Sequence, residues 1–246
     1  MTAAPFGTAE ILAAVAGAGR VLDAGCGSGR LTVALAQAGA QVTGIDTSPG
    51  QLEEARRRAG DAGVDLTLLE ADFNEELPFA DASFAAVTSR LALMAAADPV
   101  ATLRELRRVL APGGRIVTVL WASPAENAWF GVPREAIGAV LGADRAAFAR
   151  AFGKLGVPED AASAHRAARL VDVEATRLRE LRPAPDAAAY WRELSAENGH
   201  FRRINASLSD DEAAALAAEV EARLAPYRKG DHLSLPRTLV LVTARR

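Results

Sequence analysis

Residues 21–30 read VLDAGCGSGR, a short apolar run that closes on an acid and then breaks into three glycines, each two residues after the last. Few folds accept a strand that turns on glycines and passes directly into helical sequence. The rhythm that follows narrows them further. Through about residue 120, short apolar runs alternate with helical stretches, which is the pattern of βαβ units and a parallel sheet. Strands are expected at 20–24, 41–46, 66–71, 84–89 and 115–121, and helices at 11–16, 30–38, 48–59 and 99–110. Val100, Leu103, Leu106, Val109 and Leu110 form one apolar face of the last helix, which stops at APGG because a proline and two glycines cannot continue it.

After Trp121 the rhythm changes. Residues 122–170 carry helical sequence rich in Ala, Phe and Arg, and are expected to form a cap. A further strand is expected at 173–181, followed by punctuation at Pro183 and Pro185 and a helix over 186–197. Ser209 and Glu212 match the S-x-x-E capping box at the start of a helix running to about Leu224. The β-branched run at 239–243 reads as a closing strand. The expectation is a single domain over residues 1–246, with cap insertions at about 122–170 and 186–232.

Charge and cysteine content exclude several classes. The chain has 246 residues and a formal net charge of −3 at pH 7, which leaves no overall basic field for a polyanion. Its one cysteine, Cys26, excludes an internal disulfide framework, and with three scattered histidines it excludes a Cys/His zinc cluster. The start MTAAPFGTAE lacks a basic stretch followed by an unbroken apolar one, and no segment approaches a membrane span. A cytoplasmic protein that binds no metal, no nucleic acid and no membrane is expected.

The glycine loop itself admits two chemistries. A dinucleotide fold uses G-x-G-x-x-G to bring backbone amides to a pyrophosphate. Here Arg30 stands where the third glycine would fall, which weakens that reading, and no G-K-S/T follows as a P-loop requires. Asp23 would repel a pyrophosphate but attract a cation. Asp46 closes the second strand, where a carboxylate can accept hydrogen bonds from both hydroxyls of a ribose. Asp72, after the third strand and beside Phe73, offers an acceptor for an amine edge and an apolar face for a purine.

DAGCGSG closely resembles motif I of the class I S-adenosylmethionine-dependent methyltransferases. GIDTSPGQLEEARRRA, EADFNEELPFADASFAAV and LRELRRVLAPGGRIV resemble that family's later motifs in order. The resemblance covers roughly residues 8–121 and is nearest to the small-molecule enzymes of the ubiquinone and menaquinone biosynthesis type. It implies an α/β fold: a Rossmann-like three-layer sandwich around a mostly parallel seven-stranded sheet, with one antiparallel strand in the edge region and a helical cap. It also implies S-adenosyl-L-methionine as cofactor and S-adenosyl-L-homocysteine as product. By the same resemblance Asp23, Gly25, Gly27 and Gly29 would line the methionine end, Asp46 and Thr47 the ribose, Asp72 and Phe73 the adenine, and Ser89 would approach the methionyl portion. Cys26 reads as a small buried residue of the loop, with no histidine near it in sequence.

Transfer from a sulfonium is an in-line displacement in which charge is lost, so a dry apolar pocket and good alignment suit it. Candidate acceptor-pocket residues are Arg90, Met94, Trp121, Trp129, Phe130 and Tyr190, and their aromatic content points to a planar or hydrophobic small molecule. For Trp129, Phe130 and Tyr190 a purely structural role is the alternative. The bases on offer are His165, His200, His232, Tyr190 and Tyr227. His200, expected in a loop after Asn198 and Gly199, is the preferred catalytic candidate, and its replacement by alanine is expected to slow methylation of a hydroxyl by about a hundredfold or more. A second subunit could complete the lid, since only about twenty residues precede the first strand. The TSRLALM stretch after the fourth strand, in place of an N-P-P-Y-type run, argues against nucleic-acid methylation. The other readings are a non-methylating enzyme or a binding or regulatory partner on the same fold, because fold does not fix chemistry. A nucleotide-dependent oxidoreductase ranks third.

Overall fold

The computed structural model describes residues 5–145, 155–197 and 199–246, of which 197, 199 and 200 by backbone alone. The described residues form two compact units, one within residues 1–121, 154–178 and 239–246, the other within residues 122–153 and 179–238. In the first half, strands β1 (Arg20–Ala24), β2 (Gln41–Asp46), β3 (Thr67–Glu70), β4 (Phe84–Arg90) and β5 (Leu110–Trp121) alternate with helices α1 (Thr8–Ala14), α2 (Arg30–Gln37), α3 (Pro49–Ala62) and α4 (Pro99–Val109). There follow α5 (Ala128–Leu141), α6 (Pro158–Ala167), β6 (Val171–Ala184), α7 (Ala187–Glu197), α8 (Gly199–Ala206), α9 (Asp210–Leu224), β7 (Arg228–Lys229) and β8 (His232–Arg245).

The sheet runs in the order β3-β2-β1-β4-β5-β8-β6. Strand β1 lies between β2 and β4, parallel to both, and β8 runs antiparallel to β5. This is the expected mostly parallel sheet with its one reversed strand next to the edge. The two-residue β7, paired only to β8, is an eighth strand that the sequence does not announce. Val21, Leu22, Ala24, Ile45, Val87, Ile116 and Val117 are wholly buried. Each such Val, Leu or Ile contributes about 1.5–3 kcal/mol relative to exposure, which is why the central strands read as continuous apolar runs.

Helix starts follow local chemistry. Ser48 and Asp98 cap α3 and α4, each ahead of a proline at the first helical position, and Asp98 Oδ1 accepts from the backbone N–H groups of Val100 and Ala101. The capping box at Ser209 and Glu212 is present, with both reciprocal bonds formed. The APGG stretch differs from expectation. It does not separate α4 from a new strand but bulges out of β5, so that Leu110 pairs with Phe84 and Arg115 with Ala86. Strands β6 and β8 are each 14 residues long, well beyond the 173–181 and 239–243 expected.

The expected cap segment 122–170 is divided. Residues 155–178 belong to the first unit, where α6 packs on α4. Arg107 Nε donates to the Arg169 carbonyl at 2.9 Å, and His165, completely buried, lies 3.0 Å from the Thr118 hydroxyl of β5. His165 Nδ1 is 2.7 Å from the Ala161 carbonyl, which can only accept, so Nδ1 carries the proton and Nε2 accepts from Thr118. Burial pushes this imidazole down to about 4, so it is neutral and structural, not a base.

The second unit has a core of its own, built from α5, α7, α8, α9, the end of β6 and the start of β8. Its centre is an edge-to-face pair, Trp129 and Tyr190, with ring centroids 4.9 Å apart. The Tyr190 hydroxyl donates to the Trp129 carbonyl at 2.7 Å, and the Arg182 guanidinium lies 4.2 Å over the Trp129 ring. Among the described residues, no helix is long and apolar enough to cross a membrane.

Candidate functional site

The strand order reverses between β1 and β4: the connection through α2 carries the chain to β2 on one side, and the connection through α4 carries it to β5 on the other. Right-handed crossovers then put α2 and α4 on opposite faces and leave a crevice over the carboxyl ends of β1 and β4, where open α/β sheets take their ligands. A cleft of about 250 Å³ lies there, with Asp23, Gly25, Gly27, Arg30, Gln51 and Arg90 in its wall.

The glycine loop is held by its neighbours. The N–H groups of Gly25 and Cys26 both donate to the Ile45 carbonyl, each at 2.9 Å, and Arg58 of α3 donates through Nε to the Ser28 carbonyl at 3.0 Å. All three glycines have left-handed φ (74°, 53° and 76°), which a side chain would strain. Their surroundings differ. A Cβ on Gly25 would stand 2.2 Å from Ala92 Cβ, and one on Gly29 would stand 2.8 Å from Ala55 Cβ, so the protein's own packing requires glycine at both. A Cβ on Gly27 would meet nothing within 4 Å. Only Gly27 leaves the approach open to a ligand. Cys26 turns away and fills the space over Gly44, where an added Cβ would be 3.0 Å from its sulfur. Burial pushes the Cys26 thiol up to about 12, with Asp23 and Asp46 adding to the effect, so it is no nucleophile.

Asp23 is 1% exposed. Thr32 of α2 donates its hydroxyl to Oδ2 at 2.8 Å, and Thr88 of β4 donates to Oδ1 at 2.9 Å. Burial pushes this carboxyl from 3.8 up to about 6, against the lowering effect of the two threonines and of Arg90. It is therefore an anion at neutral pH, kept so by dedicated donors. Sequence reading missed both threonines, because nothing in the spacing of residues 23, 32 and 88 says that they converge.

Asp46, half-buried at the end of β2, accepts from Gly27 N at 2.8 Å through Oδ2 and from Ser48 N at 3.0 Å through Oδ1. It joins the second strand end to the open glycine. Thr47 beside it is exposed. Asp72 follows β3 and accepts from the backbone and side-chain amides of Asn74 at 2.8 and 2.7 Å, both on Oδ1. Phe73 reaches the glycine loop, its ring edge 3.2 Å from where a Gly25 Cβ would stand. Ser89 is 1% exposed within β4 and is not part of the cleft wall; Thr88, its neighbour in the chain, is the residue that engages the site.

Residues 22–118 match the family described as a methyltransferase domain. These residues form a methyltransferase domain. The curated relatives agree with it. The ubiquinone/menaquinone biosynthesis C-methyltransferase of Desulfotalea psychrophila is 40% identical over 119 residues, covering 45% of this chain and 46% of its own length. The demethylmenaquinone methyltransferase of Thermus thermophilus is 44% identical over 91 residues, covering 37% of this chain and 41% of its own. The chain thus spans less than half the length of these curated relatives. The YcgJ protein of Bacillus subtilis shares the fold over 97% of both chains, with a TM-score of 0.60 at 18% identity.

The remaining candidates are divided between the two units. In the methyltransferase domain, Arg90 faces the cleft and also donates to the Phe6 carbonyl through Nε and Nη2, at 3.3 and 3.1 Å. Half-buried Met94 sits on a 3₁₀ turn after β4, and Trp121, 9% exposed, pairs with Leu239 at the end of β5. Trp129 and Tyr190, expected at an acceptor pocket, are wholly buried in the core of the second unit, and half-buried Phe130 packs against that core. Aromatic side chains stabilise a core as readily as they line a pocket, and sequence alone does not separate the two. His200 lies in helix α8, not in a loop, and its side chain is outside the described residues. His232 is exposed and lies 3.1 Å from Asp231.

Proposed function

We propose that the methyltransferase domain binds S-adenosylmethionine at the β1/β4 crevice and that the chain transfers its methyl group to a small-molecule acceptor. The reading rests on one observation above all: the buried Asp23 carboxylate borders the same cleft as Gly27, the loop glycine whose side-chain position is open. A buried anion suits an ammonium group, and bare backbone suits close approach by an amino-acid moiety. Asp46 has two oxygens with lone pairs beyond those used by Gly27 and Ser48, and would accept from vicinal hydroxyls. Asp72 and Phe73 would frame the purine. When bound, the sulfonium supplies an electrophilic methyl carbon.

The acceptor follows from the relatives rather than the cleft. Both are named for quinone-pathway methylation, one of them explicitly at carbon, and we take a planar, apolar quinol-type ring as the acceptor class. For such an acceptor the chain's work is alignment and exclusion of water, with proton removal at the hydroxyl raising the ring's nucleophilicity. Titration calorimetry with S-adenosylhomocysteine tests the cofactor, and demethylated-donor release in the presence of a demethylmenaquinol analogue tests the acceptor. Saturable heat and acceptor-dependent release are expected. No heat on folded protein refutes the cofactor reading, and heat without release from any quinol refutes the acceptor class.

A further inference from the structure

Three polar side chains meet in the interior at the carboxyl ends of β1 and β4. Asp23 is 1% exposed, and Thr32 and Thr88 are fully buried. They come from three different elements, and each threonine hydroxyl takes a different oxygen of the one carboxylate, at 2.8 and 2.9 Å. We infer that Thr32 and Thr88 are positioning residues for the cofactor: by clamping both oxygens of Asp23 they hold it as an oriented anion for the cofactor's ammonium, and they make binding depend on pH. The inference rests on the cofactor reading above and names the residues that prepare its charged end.

The geometry supports a charge clamp over mere packing. A hydroxyl that donates to a carboxylate favours the ionised form, and two donors on opposite oxygens also fix the plane of the group. Thr88 Oγ1 is in addition 3.4 Å from the Leu22 carbonyl. When Asp23 takes up a proton, the Thr88 hydrogen has that second acceptor to turn to, so the clamp can release without leaving a buried donor unpaired. The charged and titratable groups that face Asp23 act in opposite senses. Arg90, at the end of β4, favours the anion, and Asp46, at the end of β2, opposes it. Cys26 in the intervening loop stays neutral, and Arg30 at the start of α2 borders the same cleft.

The test uses the full chain with Thr32→Val and Thr88→Val, which remove the hydroxyl at nearly constant shape, and Thr32→Ser and Thr88→Ser, which keep it. The Asp23 carboxyl is titrated by ¹³C NMR in the free protein, and the dissociation constant of S-adenosylhomocysteine is measured by calorimetry from pH 5 to 8.5 on the same samples. Each valine variant is expected to raise the Asp23 midpoint by about one pH unit, the size of one hydrogen bond to a charged group. Affinity should follow the moved midpoint, and the serine variants should restore both readings. A midpoint that stays put in the valine variants, or an affinity that ignores a midpoint that has moved, overturns the inference. Absence of binding by the wild type at every pH refutes the cofactor reading and the binding half of the inference together, and the free-protein titration then still decides whether the clamp sets the charge. Circular dichroism melts accompany each sample, and a valine variant that does not fold is replaced by alanine at the same position.

Discussion

Replacing Asp23 by asparagine should stabilise the protein at neutral pH while weakening its hold on the cofactor. Burial displaces this carboxyl from 3.8 to about 6. At about 1.4 kcal/mol per pH unit, ionising it in the folded state costs about 3 kcal/mol at pH 7 and above. The sign follows from the direction of the shift. A carboxyl whose folded value is raised contributes stability below its unfolded value of 3.8, and that contribution is lost as pH rises through 6. Asparagine carries no charge, can accept from one threonine through Oδ1 and can donate to the other through Nδ2, so it escapes the cost. Urea unfolding at pH 7.5 should show the variant more stable by about 2–3 kcal/mol, with the gap closing toward pH 4. His165 acts in the opposite sense: its folded value is lowered from 6.5 to about 4, so its contribution is present above 6.5 and is lost as pH falls. In the wild type the two trends offset one another between pH 4 and 6. The asparagine variant should expose the histidine's slope, a fall of about 3 kcal/mol toward acid. A variant less stable than wild type at pH 7.5, or a difference between them that is the same at pH 5 and pH 7.5, would show that Asp23 is not a strained buried anion.

Asp46→Ala should weaken S-adenosylhomocysteine at least tenfold by calorimetry and cost about 1–3 kcal/mol in urea melts, because Gly27 N and Ser48 N lose their acceptor. Gly25→Ala should be destabilising by on the order of 3 kcal/mol, since its Cβ would collide with Ala92 at 2.2 Å, and Gly27→Ala by only about 1 kcal/mol, since its Cβ meets nothing. Equal losses in the two glycine variants would contradict the packing described. Cys26, 8% exposed with its thiol held up to about 12, should resist iodoacetamide at pH 8 in the native state and react only in denaturant, as read by mass spectrometry. His165→Gln should flatten the acid limb of the stability curve without changing affinity for S-adenosylhomocysteine at pH 7.5.

Legibility followed the range of the interaction. Strands β1 and β2, the helix starts, the Ser209–Glu212 box, and Asp23 and Asp46 at their strand ends are local features: periodicity and capping act over a few residues and stand in the chain as written. The glycine loop was legible as a turn between strand and helix, but the separate surroundings of its three glycines were not. Whether a missing side chain admits a ligand, Ala92 or Ala55 depends on elements distant in the chain. The aromatic residues left two readings open for a related reason, since Trp129 and Tyr190, both buried, make the same pattern in a core as at a pocket wall.

The sequence by itself determined the βα rhythm, the acids that close the strands and the kind of loop between them, because hydrophobic period, turn residues and caps are short-range properties. Only the tertiary structure decided which side chains meet: Thr32 and Thr88 on Asp23 across 9 and 65 residues of chain, Arg58 on the Ser28 carbonyl, and His165 on Thr118. Those encounters depend on strand order, register and helix packing, which the whole core settles at once. The charge at the floor of the cleft is their product, since burial raises the Asp23 carboxyl and two hydroxyls from elsewhere in the fold keep it ionised.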